Sequence, residues 1–150
     1  MSSRHRGRSL ALMCLYQIDL VGTDPNRAMK FDWYDKKISK EEKDYAIFLV
    51  KGVVEKRESI DNLIKKYSEN WELSRISVVN RCILRLSILS LQKEPFLAGP
   101  VVISEAVELT KEFETEESAH FINGLLDAFY KKEILASNGK LGEHGTDPQK

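Results

Sequence analysis

Four basic residues crowd the start of the chain, Arg4, His5, Arg6 and Arg8, and no acid precedes Asp19. Guanidinium groups grip phosphate through paired N–H donors and stay charged at every relevant pH, so such a run suits a nucleic-acid backbone. A loose arm of this kind can order on binding a polyanion; a charged N-terminus can equally be a solubilising tail. A second group lies near the other end. Glu117, His120 and Phe121 combine a carboxylate that can accept from a base amino group with a ring that can stack on a base, the contacts by which unpaired RNA is read. The plainer alternative is a capped helix end with a core Phe. Just beyond, Asn123-Gly124 interrupts an apolar helical stretch, although Gly there costs about 1 kcal/mol relative to Ala. Tight packing against a neighbour explains Gly124, and the Asn123 amide is left for a specific ligand or a nearby backbone group.

Arrangements for catalysis are missing from the sequence. The three histidines, His5, His120 and His144, have no metal-ligand spacing. The eight glycines form no phosphate loop, and no Gly-x-Ser-x-Gly elbow occurs. Glu105 with Glu108, and Glu116 with Glu117, read as solvated helix faces, not as acid–base pairs. Cys14 and Cys82 lie among apolar residues and read as reduced core thiols. The expectation is a binding module with no enzymatic activity, no cofactor and no metal. At 42% apolar and 31% charged residues over 150 positions, the composition is that of a globular domain. The formal net charge of +0 means that any polyanion site must be local. No signal peptide or apolar span is evident, which points to the cytoplasm.

The elements that must hold these groups are helical throughout. Residues 1–8 read as a loose basic arm and Ser9 to Val21 as a buried first helix, closed by Gly22, Asp24 and Pro25. A short irregular helix is expected within 26–38. Ser39-Lys-Glu-Glu42 is a capping box that starts a long central strut, whose apolar spacing runs from Tyr45 to Tyr67. Trp71 and Leu73 form a link. Ser74 or Ser77 caps the next helix, ended by Pro95. Pro100 opens another, with Val107 and Phe113 inward and Glu105, Glu108 and Glu112 outward. Thr115 caps the last. The fold class is all-α, with a domain over 1–135 and a disordered tail over 136–150.

Several of these segments together resemble the NusB family of antitermination factors. They are Arg4-His-Arg-Gly-Arg8 leading into Ala11-Leu-Met-Cys-Leu-Tyr-Gln17, Asn80-Arg-Cys-Ile-Leu-Arg-Leu86, Val102-Ile-Ser-Glu-Ala-Val-Glu-Leu-Thr-Lys111 and Phe121-Ile-Asn-Gly-Leu-Leu-Asp127. They fall in the family's order between Arg4 and Tyr130. The resemblance implies about seven helices in two small packed subdomains and no catalysis. It implies single-stranded boxA-type RNA as a ligand, bound jointly with NusE, a small-subunit ribosomal protein, and entry into the RNA polymerase elongation complex with other Nus factors. It assigns Arg4, Arg6 and Arg8 to RNA phosphates, and Arg85, Glu117, His120 and Phe121 to further RNA contacts. Tyr16 and Asn80 fall on the partner surface. His5 departs from the fuller arginine run of some members, and the tail has no counterpart. Two alternatives stand beside this reading: a weakly homodimeric scaffold without RNA binding, and an RNA-positioning domain related to ribosomal-RNA cytosine methyltransferases. On the sequence alone, Arg6→Ala with Arg8→Ala should weaken RNA binding and leave the melting temperature unchanged.

Overall fold

Five of the seven α-helices described begin behind a hydroxyl or carboxylate cap. In the computed structural model, which describes residues 2–69 and 72–137, α1 (Ser3–Val21) starts behind Ser2, whose hydroxyl accepts from the His5 amide at 3.1 Å. Asp24 caps α2 (Pro25–Ala28), and Ser39 with Glu42 closes a full capping box on α3 (Lys40–Glu55). α4 (Arg57–Tyr67) follows directly, and a single 3₁₀ turn, Leu73–Arg75, leads to Ser77, which caps α5 (Val78–Lys93). Pro100 stands in the first turn of α6 (Gly99–Phe113), and Thr115 caps α7 (Glu116–Phe129). No strand occurs among the described residues. Trp71 and residues 138–150 lie outside them, and with these most of the expected tail.

α5 is the centre. Eleven of its residues are buried, from Asn80 to Leu91, and it packs against α1 and α3 on one side and α4, α6 and α7 on the other. The two packed helical groups that the resemblance implies therefore share α5, with one continuous apolar core. Cys14 and Cys82 are both free and fully buried in it, and burial pushes their thiols up to about 12 and about 11.

Four expectations change. The basic stretch is not a loose arm: from Ser3 onward it is the first part of α1. Gly7 is the reason, since a Cβ there would lie 2.6 Å from Tyr45 Cδ2, and only a bare glycine lets α1 lie this close to α3. The long strut from Tyr45 to Tyr67 breaks at Lys56 (φ −112°, ψ 20°) into α3 and α4. The Ser59 hydroxyl donates to the Lys56 carbonyl at 3.0 Å, and the bend buries Ile60 and Ile64. Phe113, expected inward, is 40% exposed at the end of α6. Beyond α7 a π-helical turn, Tyr130–Leu135, carries the helical path to Ser137, past the expected end at Leu135.

Gly52 on α3 plays the same part as Gly7, because a Cβ there would run into the side chain of the fully buried Leu89 on α5. Gly52→Ala should therefore destabilise by about 1–3 kcal/mol through overpacking, although Ala is the better helix former. Urea denaturation checks this, and an unchanged midpoint would mean that α3 and α5 can move apart at no cost.

Candidate nucleic-acid interface

The leader's cations are free of acids in sequence but not in space. His5 is 9% exposed and stands between two carboxylates of α6, with Nδ1 2.8 Å from Glu105 and Nε2 3.1 Å from Glu112. Arg8 is 3% exposed, lies 3.7 Å from Glu105, and places its guanidinium 5.7 Å from the centre of the Tyr45 ring. Arg4 reaches Glu94 at 3.5 Å and keeps a side chain 40% exposed. Arg6 is part-exposed and makes no hydrogen bond or ion pair through its side chain among the described residues. Arg4 and Arg6 can thus meet a phosphate, whereas Arg8 is packed into the body.

The front of α7 forms the second part. Phe121 is half-buried and lines two clefts at once. One, of about 220 Å³, is bounded by Arg75, Ile76, Ser77, Asn80, Glu114, Glu117 and Ser118 as well. The other, of about 360 Å³, adds Tyr67, Ser68, Glu69, His120, Gly124, Leu125 and Ala128. Glu117 and His120 are exposed, and one lines each of the two clefts that Phe121 borders. The expected packing at Gly124 is corrected: nothing lies within 4 Å of a Cβ built there. Its missing side chain leaves one cleft open instead. Asn123 points elsewhere, into a groove with Ile103 and Val107. Arg75, exposed on the 3₁₀ turn, is a cation at the Phe121 cleft that sequence reasoning missed. Its only signal was its place just before the Ser77 cap.

Leader and cleft are both attached to the C-terminal half of α6. His5 binds Glu112 there, and Glu114 accepts from the Ser118 hydroxyl of α7 at 3.4 Å. Asn80 is 7% exposed, and its Nδ2 donates to Ser118 Oγ at 3.0 Å. Because that hydroxyl donates onward to Glu114, the Asn80 amide is oriented with Oδ1 left unpartnered. Asn80 thus belongs to the cleft wall, while Tyr16 stands 38% exposed on α1. Arg85 gives a different result from the expected RNA contact. It is 3% exposed, with Nε and Nη2 on Asp61 at 2.8 and 3.1 Å and Nη1 on Asp19 at 3.2 Å. Both carboxylates hold it inside the fold, because a buried cation must be paired. No group of residues with metal-ligand geometry occurs among the described residues, and no helix there is long and apolar enough to cross a membrane.

The profile of the NusB family matches residues 5–131. The transcription antitermination protein NusB of Leptospira biflexa is 92% identical over 135 residues, spanning 90% of this chain and 96% of that protein. NusB of Myxococcus xanthus is 42% identical over 131 residues, 85% of this chain and 94% of its own length. Among solved structures, T. maritima NusB superposes with a TM-score of 0.82 at 32% identity, covering 94% of this chain and 99% of that one. A crystal structure of the antitermination factors NusB and NusE with double-stranded RNA matches with a TM-score of 0.78 at 32% identity, over 87% of this chain and 98% of that chain.

The His5 contacts set a pH dependence. Burial disfavours its charged form, but the hydrogen bonds and charges of Glu105 and Glu112 outweigh burial and raise its pKa above 6.5. A pKa raised by folding adds stability that is complete below the unfolded value and is lost as pH rises through the folded one. His5→Gln should therefore cost most stability below pH 6.5, progressively less as pH rises through the raised pKa, and little above it. Denaturation of both proteins across that range measures the gap, and a constant gap would make His5 a neutral hydrogen-bonding residue.

Proposed function

The chain belongs to the NusB family of transcription antitermination factors, and from that premise we propose that it binds boxA-type single-stranded RNA jointly with NusE and delivers both to the RNA polymerase elongation complex with other Nus factors. The observation that carries the RNA reading is the Phe121 ring standing between two open clefts, with the Glu117 carboxylate, the Arg75 guanidinium and the His120 imidazole around it. A ring that borders two clefts suits stacking by unpaired bases, and the carboxylate accepts from their amino groups. Arg4 and Arg6 supply the phosphate contacts. Tyr16 serves the ribosomal-protein partner from the α1 surface. The protein works in the cytoplasm as an adaptor and not as a catalyst.

Each residue carries a distinct expectation. Arg6→Ala should weaken RNA binding, lower the slope of log affinity against log salt by about one, and leave the melting temperature unchanged. Arg8→Ala should instead cost stability on the order of 2 kcal/mol, through lost packing and a disturbed Glu105. Fluorescence anisotropy at graded salt, paired with thermal melts, separates the two; equal effects of both variants on folding would remove Arg6 from the interface. Tyr16→Ala should lower capture of the ribosomal protein from RNase-treated lysate while RNA affinity in its absence is retained. Loss of RNA affinity and unchanged capture would reverse that assignment.

A further inference from the structure

Phe96 is 72% exposed, the most exposed large apolar side chain among the described residues. It lies on the turn between α5 and α6, and that turn is held firmly. The Glu94 carboxylate is 3% exposed and accepts from the Ser90 hydroxyl, from the Tyr45 hydroxyl at 2.8 Å and from Arg4 at 3.5 Å. The Leu97 amide donates to the Glu94 carbonyl at 3.0 Å. A buried carboxylate with three donors, followed by Pro95, leaves the turn little freedom, so Phe96 is kept in solvent by its surroundings. The same Glu94 brings Arg4 to the ring. The Arg4 guanidinium carbon lies 5.8 Å from the centre of Phe96 and 5.0 Å from that of Tyr45, in reach of both π faces. Tyr45 in turn stacks on Phe48, which is 44% exposed.

An exposed ring beside a half-exposed arginine fits a nucleobase joined to its phosphate, because the ring takes the base and the cation takes the backbone. The surrounding charge favours the same occupant. The first turn of α1 carries no acid, Arg6 follows Arg4, the last turn of α5 carries Lys93, and the Glu94 carboxylate against which Arg4 rests is buried and paired. We propose that Phe96 is a second stacking platform for the RNA strand, with Arg4 holding the adjoining phosphate. From the Phe121 cleft at Asn80 to the turn at Glu94, α5 rises about 20 Å, so the bound strand spans several nucleotides between two aromatic stations. This inference rests on the RNA reading above and extends its path beyond the leader.

A nested series of unstructured single-stranded RNAs, lengthened one nucleotide at a time from either end of the boxA-type core, tests it with the full-length protein. Affinity should rise in a step when the strand reaches Phe96. Phe96→Ala should lose that step, about fivefold or more, and bind shorter RNAs like wild type. Phe96→Trp should keep it. The proposal is overturned if Phe96→Ala and wild type coincide across the series while Phe121→Ala loses affinity, a result that leaves the RNA reading standing. It is overturned equally if Phe96→Ala lowers capture of the ribosomal protein without touching the step, since the occupant is then a protein. Wild type binding none of the RNAs would end both readings together.

Discussion

A helix buried along most of its length must find partners for the charges it carries inward, and α5 is such a helix. Arg85 in its middle is neutralised by Asp61 from α4 and Asp19 from α1. Asn80 near its start is tied to Ser118 of α7, and Glu94 at its end to Tyr45 of α3 and Arg4 of α1. Leaving the Arg85 or Glu94 charge unpaired in a low dielectric would cost several kcal/mol. The ion pairs therefore determine which helices surround α5 and in what register. The bend at Lys56 belongs to the same constraint, since a straight continuation of α3 would carry Asp61 elsewhere.

This arrangement explains how a chain with no net charge can present a polyanion site. The acids that neutralise the leader, Glu94, Glu105 and Glu112, are directed inward or along α6, and they hold its first turns against the body. Arg8 and His5 become part of the fold, and Arg6, with part of Arg4, remains for a ligand. A preordered cation loses less freedom on binding than one on a loose arm, so fewer arginines suffice. Asp19 shows the same electrostatics inside: burial raises its pKa, but Arg57 and Arg85 outweigh burial and hold the carboxyl below its ordinary value.

At the front of α7 the missing atoms matter as much as those present. Gly124 leaves a cleft open beside Phe121 where any other residue would partly fill it. Gly7 and Gly52 have the opposite use, letting α1 and α5 approach α3 closely. In sequence all three are glycines inside helices, and only their neighbours tell close packing from open space.

Local chemistry was legible without a structure wherever a signal acts over one helical turn. The Ser39 capping box, the Ser77 and Thr115 caps, the Pro100 start, the buried thiols and the placing of Glu117 and Phe121 on one helix face all follow from short spacings. The resemblance to the NusB family added the overall arrangement. Whether Arg8 and Arg85 face water or carboxylates, whether α3 and α4 are one helix or two, and that Arg75 and Phe96 stand beside Phe121 and Arg4 were decided only by the tertiary structure. Each depends on residues far apart in the chain, such as Arg85 with Asp19 or Arg4 with Glu94. No periodicity within a segment encodes which distant charge it will meet.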